Sequence, residues 1–383
     1  MSAEQLDLLQ WKAPPPRPRP VVYPLCPVIG PLPPRLDMPC QGCGRLELRC
    51  GCSAPPWQLD EGVRPLACEG MPAAGQHLLI IDGSALLHRY YFPEKQAGGQ
   101  SRRRTKAGES VDALYWATRA IFQILGTVRP SHVAVVVDHP DGDQGRRALH
   151  PSYRERKDKD PGFARQIELA VSKAWRALGL RLYQDPSCEG DDVIATLACR
   201  WPASRQLSVC CWDKDLLPIL DPAQHGPLRA IVQVEEGAIA IKDPSQVAQT
   251  RFGIACAQVA DLLALAGDSA DSLPGVPGIG KKTAAQLLIA HGSLWAIYRA
   301  LDEDRLNLAG VRSGERVKDL LRCHRNTAIL TRRLVSLQRD VEAVPADPIA
   351  FDVLHRWTWV DEGDAAVGQA LAELGMADLL MMP

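Results

Sequence analysis

The stretch that most limits what this chain can become is Cys188-Glu-Gly-Asp-Asp192, which runs straight into Val-Ile-Ala-Thr-Leu-Ala. Three carboxylates, Glu189, Asp191 and Asp192, fall within four residues. Val193, Ile194, Leu197 and Ala198 follow at helical spacing, so the acids stand at the mouth of an amphipathic helix. Acids in a first turn suit the helix dipole. Three in one turn also repel one another, and a bound cation relieves that repulsion. Taken alone, the cluster fits either a solvated helix cap or a metal site.

The neighbouring segments decide between these. Leu78-Leu-Ile-Ile81 is an apolar run ending in Asp82-Gly83-Ser84, which reads as a buried parallel strand and a turn. His132-Val-Ala-Val-Val-Val137 closes on Asp138, and Leu207-Ser-Val-Cys-Cys211 leads into Trp212-Asp213-Lys214-Asp215. A short strand, Arg181–Tyr183, precedes the acidic cluster. Helices are expected over Ala85–Tyr91, Ser110–Leu125 and Phe163–Leu178. Strands alternating with helices give a parallel α/β sheet. Asp82, Asp138 and Asp213 each lie at or just beyond the C-terminal end of a strand, the edge where open α/β sheets bind ligands. Asp213 and Asp215, two apart, share a face in extended chain. With Glu189–Asp192 these residues describe a carboxylate bowl.

Composition sets the outer limits. A chain of 383 residues accommodates two domains or one large one. It has no apolar run of about 18 residues, so no membrane partner is expected, and its start does not read as a signal peptide. The net charge of −1 hides basic stretches at Ser101–Lys106 and Arg146–Lys159, and such local patches suffice to attract nucleic acid. Pro is dense from Pro14 to Pro39, so extended backbone is expected there. Cys40-Gln-Gly-Cys43 and Cys50-Gly-Cys52 then offer four thiolates to a structural Zn²⁺, with unpaired reduced thiols as the other reading. The later cysteines read as core residues.

After a polar, hairpin-like segment at Ile231–Ile241, the chain turns helical. Ala255–Ala266 leads into Gly267-Asp268-Ser-Ala-Asp271, then Gly275-Val-Pro-Gly278-Ile-Gly280-Lys281-Lys282-Thr283. Glycines at this density let backbone amides approach a phosphate, and the next helix presents its N-terminus to the anion. The spacing is not that of a P-loop.

These motifs stand in a specific order: Ile80-Ile-Asp82-Gly-Ser84, Val135-Val-Val-Asp138, Glu189-Gly-Asp191-Asp192-Val-Ile, Asp213-Lys-Asp215, Gly267-Asp268-Ser-Ala-Asp271 and the glycine loop. In that order the chain from His77 to near Ala343 resembles the 5′-nuclease family. This family comprises the 5′→3′ exonuclease domain of bacterial DNA polymerase I, phage 5′-exonucleases and flap endonucleases. The resemblance implies a PIN-like parallel sheet flanked by helices, with a helix–three-turn–helix DNA-binding subdomain. It assigns Asp82, Asp138, Glu189 and Asp191 to a first metal with Asp192 nearby, and Asp213, Asp215, Asp268 and Asp271 to a second. Hard cations such as Mg²⁺ or Mn²⁺ suit these oxygen donors independently of the resemblance, many of them through bound waters. The glycine loop (Gly275, Gly278, Gly280, Lys281, Lys282 and Thr283) would grip duplex phosphates and take a K⁺ ion. Tyr153-Arg-Glu-Arg-Lys157 aligns with the start of the family's helical arch, where the tyrosine stacks on a base and a cation steers the phosphate. Arg154 stands where the family usually has lysine, with the charge kept and its shape changed. Lys157 and Arg89 are the other candidate cations.

The expected organisation is a Pro-rich extension with the zinc candidate (1–76), an α/β nuclease domain (77–242), the helix–three-turn–helix subdomain (243–345) and a helical tail (346–383). The expected function is metal-dependent removal of 5′ ends or flaps from DNA in replication, repair or recombination, leaving 5′-phosphates. A free-standing monomer is expected in the cytoplasm of a bacterial or phage-infected cell, with a replication partner reached through the N-terminal extension. The rival is a non-catalytic DNA-structure binder on the same fold, which predicts missing acids; all nine positions carry a carboxylate here. An unrelated Mg²⁺-dependent RNA nuclease is the other rival, and the glycine loop argues against it.

Overall fold

The computed structural model describes residues 76–96, 103–155, 160–342, 344 and 365–381. The four cysteines of the zinc candidate and Lys157 lie outside these. In β1 (His77–Asp82), every side chain from Leu78 to Ile81 is fully buried. A strand can be apolar on both faces only where both are covered, as in a parallel sheet. Its side chains alternate accordingly: Leu78 and Ile80 enter one core, Leu79 and Ile81 the other. β2 (His132–Val136) and β4 (Gln206–Cys210) sort the same way, with Ala134, Val136, Leu207 and Val209 in the first core and Val133, Val135 and Cys210 in the second.

The six strands run in the order β3-β2-β1-β4-β5-β6, where β3 is Arg181–Tyr183, β5 is Arg229–Glu235 and β6 is Ala238–Lys242. β1 to β5 are parallel. β6 returns antiparallel along β5 through Glu236 and Gly237, both at positive φ, as a two-residue hairpin requires. The polar hairpin expected at 231–241 is therefore the outer edge of the main sheet. The chain steps outward from β1 to β2 and β3, then crosses back to β4 on the other side of β1. This reversal is a topological switch point, where a crevice opens at the carboxyl ends of the strands. Register sets Asp82 against Val136 and Ile81 against Cys210, so those ends are level.

The second core is covered by α1 (Gly83–Gln96), α2 (Asp112–Val128) and α4 (Pro161–Leu169). Trp175, past the end of α4, is fully buried and donates from Nε1 to Thr118 Oγ1 at 3.0 Å. Its ring explains the glycine after Asp82: a Cβ on Gly83 would lie 2.8 Å from that ring. α3 (Gln144–Leu149) is a short helix at the start of the Arg146–Lys159 basic stretch and carries Arg146 and Arg147.

The first core is covered by α5 (Gly190–Arg200) and by a helical half. That half contains α6 (Pro222–His225), α7 (Pro244–Phe252), α8 (Val259–Ala266), α9 (Lys281–His291), α10 (Leu294–Asp302), α11 (Gly314–Cys323) and α12 (Arg325–Leu334). α8 is buried from Val259 to Leu265 and forms the centre of this half. Asp261 survives there because it accepts from Leu294 N at 2.9 Å and pairs with Arg332 at 2.6 Å. The described part of the tail, α13 (Ala365–Glu373) and the turn after it, packs on the second core beside α2. Asp378 in that turn takes Arg103 and the Tyr115 hydroxyl. Cys188, Cys210, Cys211 and Cys256 are buried as expected, whereas Cys323 is exposed.

The loop from α8 to α9 is shaped by one contact. A Cβ on Gly275 would lie 2.2 Å from Gly267 N and 2.3 Å from Ala266 C. Gly280 meets nothing within 4 Å. Gly275→Ala should therefore destabilise the chain by about 1–3 kcal/mol in urea unfolding. Gly280→Ser, at the α9 N-cap, should stay within about 0.5 kcal/mol of wild type. Equal effects would show that the loop is not packed this way.

Candidate active site

Asp82 ends β1, and its Oδ1 accepts from Ala85 N at 2.9 Å, capping the first turn of α1. Asp138 follows β2. Its N–H donates to Ser84 Oγ at 2.8 Å, which accounts for the serine two residues after Asp82. Its carbonyl accepts from Gln184 Nε2 at 2.8 Å, and its Oδ1 accepts from Gly190 N, also at 2.8 Å. A Cβ on Gly190 would stand 2.9 Å from Asp138 Oδ1, so only glycine lets α5 start this close to the carboxylate.

The first turn of α5 carries the acidic cluster, with Glu189 as N-cap and Asp192 reaching back to the Glu189 N–H. The three acids part company here. Asp191 is half-buried and feels Asp213, Asp82 and Asp138. Glu189 is buried and shared: Oε2 accepts from the Tyr153 hydroxyl at 3.0 Å and pairs with Arg146 at 2.8 Å, while Oε1 pairs with Arg154. Asp192 is fully buried, with Oδ2 and Oδ1 taken by Arg146 Nη1 at 2.7 Å and Nη2 at 2.8 Å. Gln338 N also donates to Oδ1 at 2.8 Å. Asp192 is thus placed as an ion-pair partner, and its place in the ligand set is corrected on that ground.

Tyr153 is corrected too. It is 4% exposed with its hydroxyl on Glu189, so its ring is not offered to a base. Arg154 does reach the bowl. Its guanidinium joins Glu189 to Asp271, with Nε 2.9 Å from Asp271 Oδ1. Its N–H donates to Asp271 O at 3.1 Å, and its φ is 52°. A non-glycine residue in that region costs on the order of 1 kcal/mol and persists only where its surroundings hold it.

Asp213 and Asp215 open the turn after β4, with Asp213 Oδ1 accepting from Asp215 N at 2.8 Å. Asp268 and Asp271 come from the loop after α8, tied by paired bonds between Asp268 and Leu273. Lys214 Nζ lies 2.7 Å from Asp268 Oδ2 and 3.6 Å from Asp215 Oδ1. Lys214, Arg146, Ser84 and Gln184 were not assigned roles from sequence. Lys214 and Ser84 sit inside motifs and could have been read there; Arg146 and Gln184 carry no such signal. Arg89 is exposed on α1 with its guanidinium 5.2 Å from the centre of the Trp212 ring, beside Asp213. Gly278, Gly280, Lys281 and Lys282 are exposed around the start of α9, with Gly275 and Thr283 half-buried.

Crowding shows in the acidities. Burial, then repulsion from Asp138, pushes the Asp82 carboxyl up to about 8. Burial, then Asp213, pushes Asp215 up to about 7. Burial, then Asp213, Asp82 and Asp138, holds Asp191 well above the usual carboxylate range. Among the described residues no donor lies within hydrogen-bond distance of the buried Asp215 Oδ1, and Lys214 Nζ stands 3.6 Å away. Among the described residues, no three His, Cys, Asp or Glu side chains close on one point as a set of direct ligands. An all-oxygen, mutually repelling donor set with an orphaned oxygen fits a hard cation held largely through waters.

The sign of the pH dependence follows. Asp82 has an ordinary value of 3.8 and is held at about 8 in the fold. The folded, metal-free chain therefore binds the extra proton between these values. That stabilisation is full below the lower value and is lost as pH rises through the upper one. In chelator, the unfolding midpoint should fall between about pH 6.5 and 8.5, and Asp82→Asn should flatten the fall. A wild-type midpoint that rises over this window would contradict the crowding.

Two family models match in succession: the 5′-3′ exonuclease N-terminal resolvase-like domain over residues 77–250 and the 5′-3′ exonuclease C-terminal SAM fold over residues 254–353. Flap endonuclease Xni of Pectobacterium carotovorum subsp. carotovorum (strain PC1) is 30% identical over 267 residues, covering 69% of this chain and 90% of the relative. DNA polymerase I of Bacillus caldotenax is 28% identical over 278 residues, which is 72% of this chain but 29% of the polymerase. The chain thus spans less than a third of that relative's length. Among solved structures, T5 5′-exonuclease with divalent metal ions (zinc) bound has a TM-score of 0.51 at 16% identity, over 78% of this chain and 100% of that one. A T5 D15 flap endonuclease complex with DNA and metal ions also scores 0.51, at 15% identity, over 78% and 99%. At such identities the structural likeness is one of fold. With both halves matched in order, and nine-tenths of a relative at 30% identity covered, the chain belongs to the 5′→3′ exonuclease family.

Proposed function

We propose that this chain is a divalent-metal-dependent phosphodiester hydrolase that cuts DNA at a free 5′ end or 5′ flap and leaves 5′-phosphates. The role fits replication, repair or recombination. One observation carries the reading. Eight carboxylates from five separate stretches meet at the switch-point edge of the sheet, with Arg154 between their two groups. The T5 relatives, with their metal ions and DNA, support it.

Asp82, Asp138, Glu189 and Asp191 would hold one Mg²⁺ or Mn²⁺, and Asp213, Asp215, Asp268 and Asp271 the other. When bound, two such ions would supply a hydroxide at neutral pH and neutralise the leaving oxygen. The chain's own part is to hold these carboxylates together and to present a cation to the phosphate. Arg154 offers a planar donor fork for that purpose. Arg89, stacked on Trp212, adds charge at the Asp213 side. Lys281 and Lys282, at the N-terminus of α9, are free to contact duplex phosphates, and the carbonyls of the same loop suit K⁺. A structural Zn²⁺ at Cys40, Cys43, Cys50 and Cys52, a replication partner for residues 1–76 and a monomeric state in the cytoplasm complete the proposal.

Asp191→Asn should lower cleavage by at least about a hundredfold while leaving DNA affinity in EDTA largely intact. Cutting at the wild-type rate would refute the metal assignment. Arg154→Ala should slow single-turnover cleavage more than it weakens binding; the reverse would reduce Arg154 to a general phosphate contact.

A further inference from the structure

Arg146 lies outside the ligand groups, yet it is 7% exposed and all three of its side-chain nitrogens are engaged. Nη1 and Nη2 hold the two oxygens of Asp192, and Nη1 also meets Glu189 Oε2 at 2.8 Å. Nε donates to Leu334 O at 2.9 Å and Nη2 to Ser336 O at 3.2 Å. Leu334 closes α12, and Ser336 lies in the segment that leaves it. The same segment reaches α5 again through Gln338 N to Asp192 Oδ1 and Val341 N to Thr196 Oγ1. Glu189 consequently has a fixed oxygen, held by Arg146 and Tyr153, and a second oxygen turned to Arg154.

We infer that Arg146 and Asp192 form a positioning pair that pins the acidic first turn of α5 to the closing segment of the helical half. The half that would take the duplex then also sets where Glu189 and Asp191 stand. This rests on the hydrolytic reading of the bowl. Buried ion pairs add little stability over neutral neighbours of similar shape, so stability alone does not account for a pair this completely bonded. Geometry does: a planar fork gripping both oxygens of Asp192 fixes orientation as well as distance.

The test uses the full chain and four variants: Asp192→Asn, Arg146→Gln, the two combined, and Arg146→Lys. Three quantities are read: thermal unfolding in chelator, Mn²⁺ binding by calorimetry, and single-turnover cleavage of a 5′-flap duplex. The pair predicts that each neutralising single substitution lowers the unfolding midpoint and that the double recovers most of the loss. All four variants should bind the same number of ions as wild type, each more weakly. Cleavage should fall about tenfold or more with DNA affinity nearly unchanged, and the double should be no slower than the slower single. Arg146→Lys keeps the charge and loses the fork, so it should restore the midpoint and leave the rate low. Loss of a bound ion in Asp192→Asn, with Arg146→Gln binding Mn²⁺ as wild type does, would make Asp192 a ligand and overturn the inference. Wild-type rate and Mn²⁺ affinity in Arg146→Gln would overturn it as well. Should wild type neither cut nor bind Mn²⁺, the hydrolytic reading falls on its own, while additive midpoint shifts would separately sink the pair.

Discussion

Repulsion among buried carboxylates is the constraint on which the rest of this structure depends. Two like charges 4 Å apart at an effective dielectric of about 20 repel by about 4 kcal/mol. Burying one leucine or isoleucine returns about 1.5–3 kcal/mol. A few such repulsions can be carried by the doubly covered strand Leu78–Ile81 and its neighbours; a full bowl cannot. Local donors take up part of the excess. Backbone N–H groups of Ala85, Gly190, Asp215 and Ala270 point at Asp82, Asp138, Asp213 and Asp268. Arg154 and Lys214 supply positive charge between the acids. Burial and the remaining repulsion hold the Asp82, Asp191 and Asp215 carboxyls above the usual carboxylate range, and a divalent cation is the natural way to relieve that repulsion.

The fold converts that tension into a site by placing each acid on a rigid support. Asp82 and Asp138 stand at strand ends held level by parallel pairing. Glu189 and Asp191 stand on a helix N-terminus whose close approach depends on Gly190. Asp268 and Asp271 come from a loop whose path depends on the contact between Gly275 and Gly267. The two halves of the chain share one core, which joins β1 and β4 to α8, α9 and α12. Arg146 adds a polar tie along the same boundary.

Much of this was legible in the sequence, for local reasons. Apolar runs closed by aspartate mark strands that end at a ligand edge, and the glycine spacing marks the loop before α9. What stayed hidden depends on distant partners. Asp192 was expected beside the first metal because its partner, Arg146, lies 46 residues earlier in a basic stretch that reads as a nucleic-acid contact. Tyr153 was expected to stack on a base because the resemblance aligns it with the start of the arch, yet burial and a bond to Glu189 claim it. Lys214 was given no role between its two aspartates, although its ammonium lies against Asp268. The tail read as a separate helix because nothing in 365–381 names α2 and the 170–177 segment as its neighbours. Cys323 read as core by analogy with the other late cysteines, although its helix, α11, turns it outward.

The most direct test of the central claim is cleavage of a 5′-labelled flap duplex beside a blunt duplex, each with Mg²⁺ and with EDTA. The carboxylate bowl predicts cutting with Mg²⁺ and none with EDTA. Products near the flap junction would mark an endonuclease, and mononucleotides from both substrates an end-directed exonuclease. Tight binding without cutting under either condition would contradict a hydrolytic site and leave a protein that only recognises DNA structure.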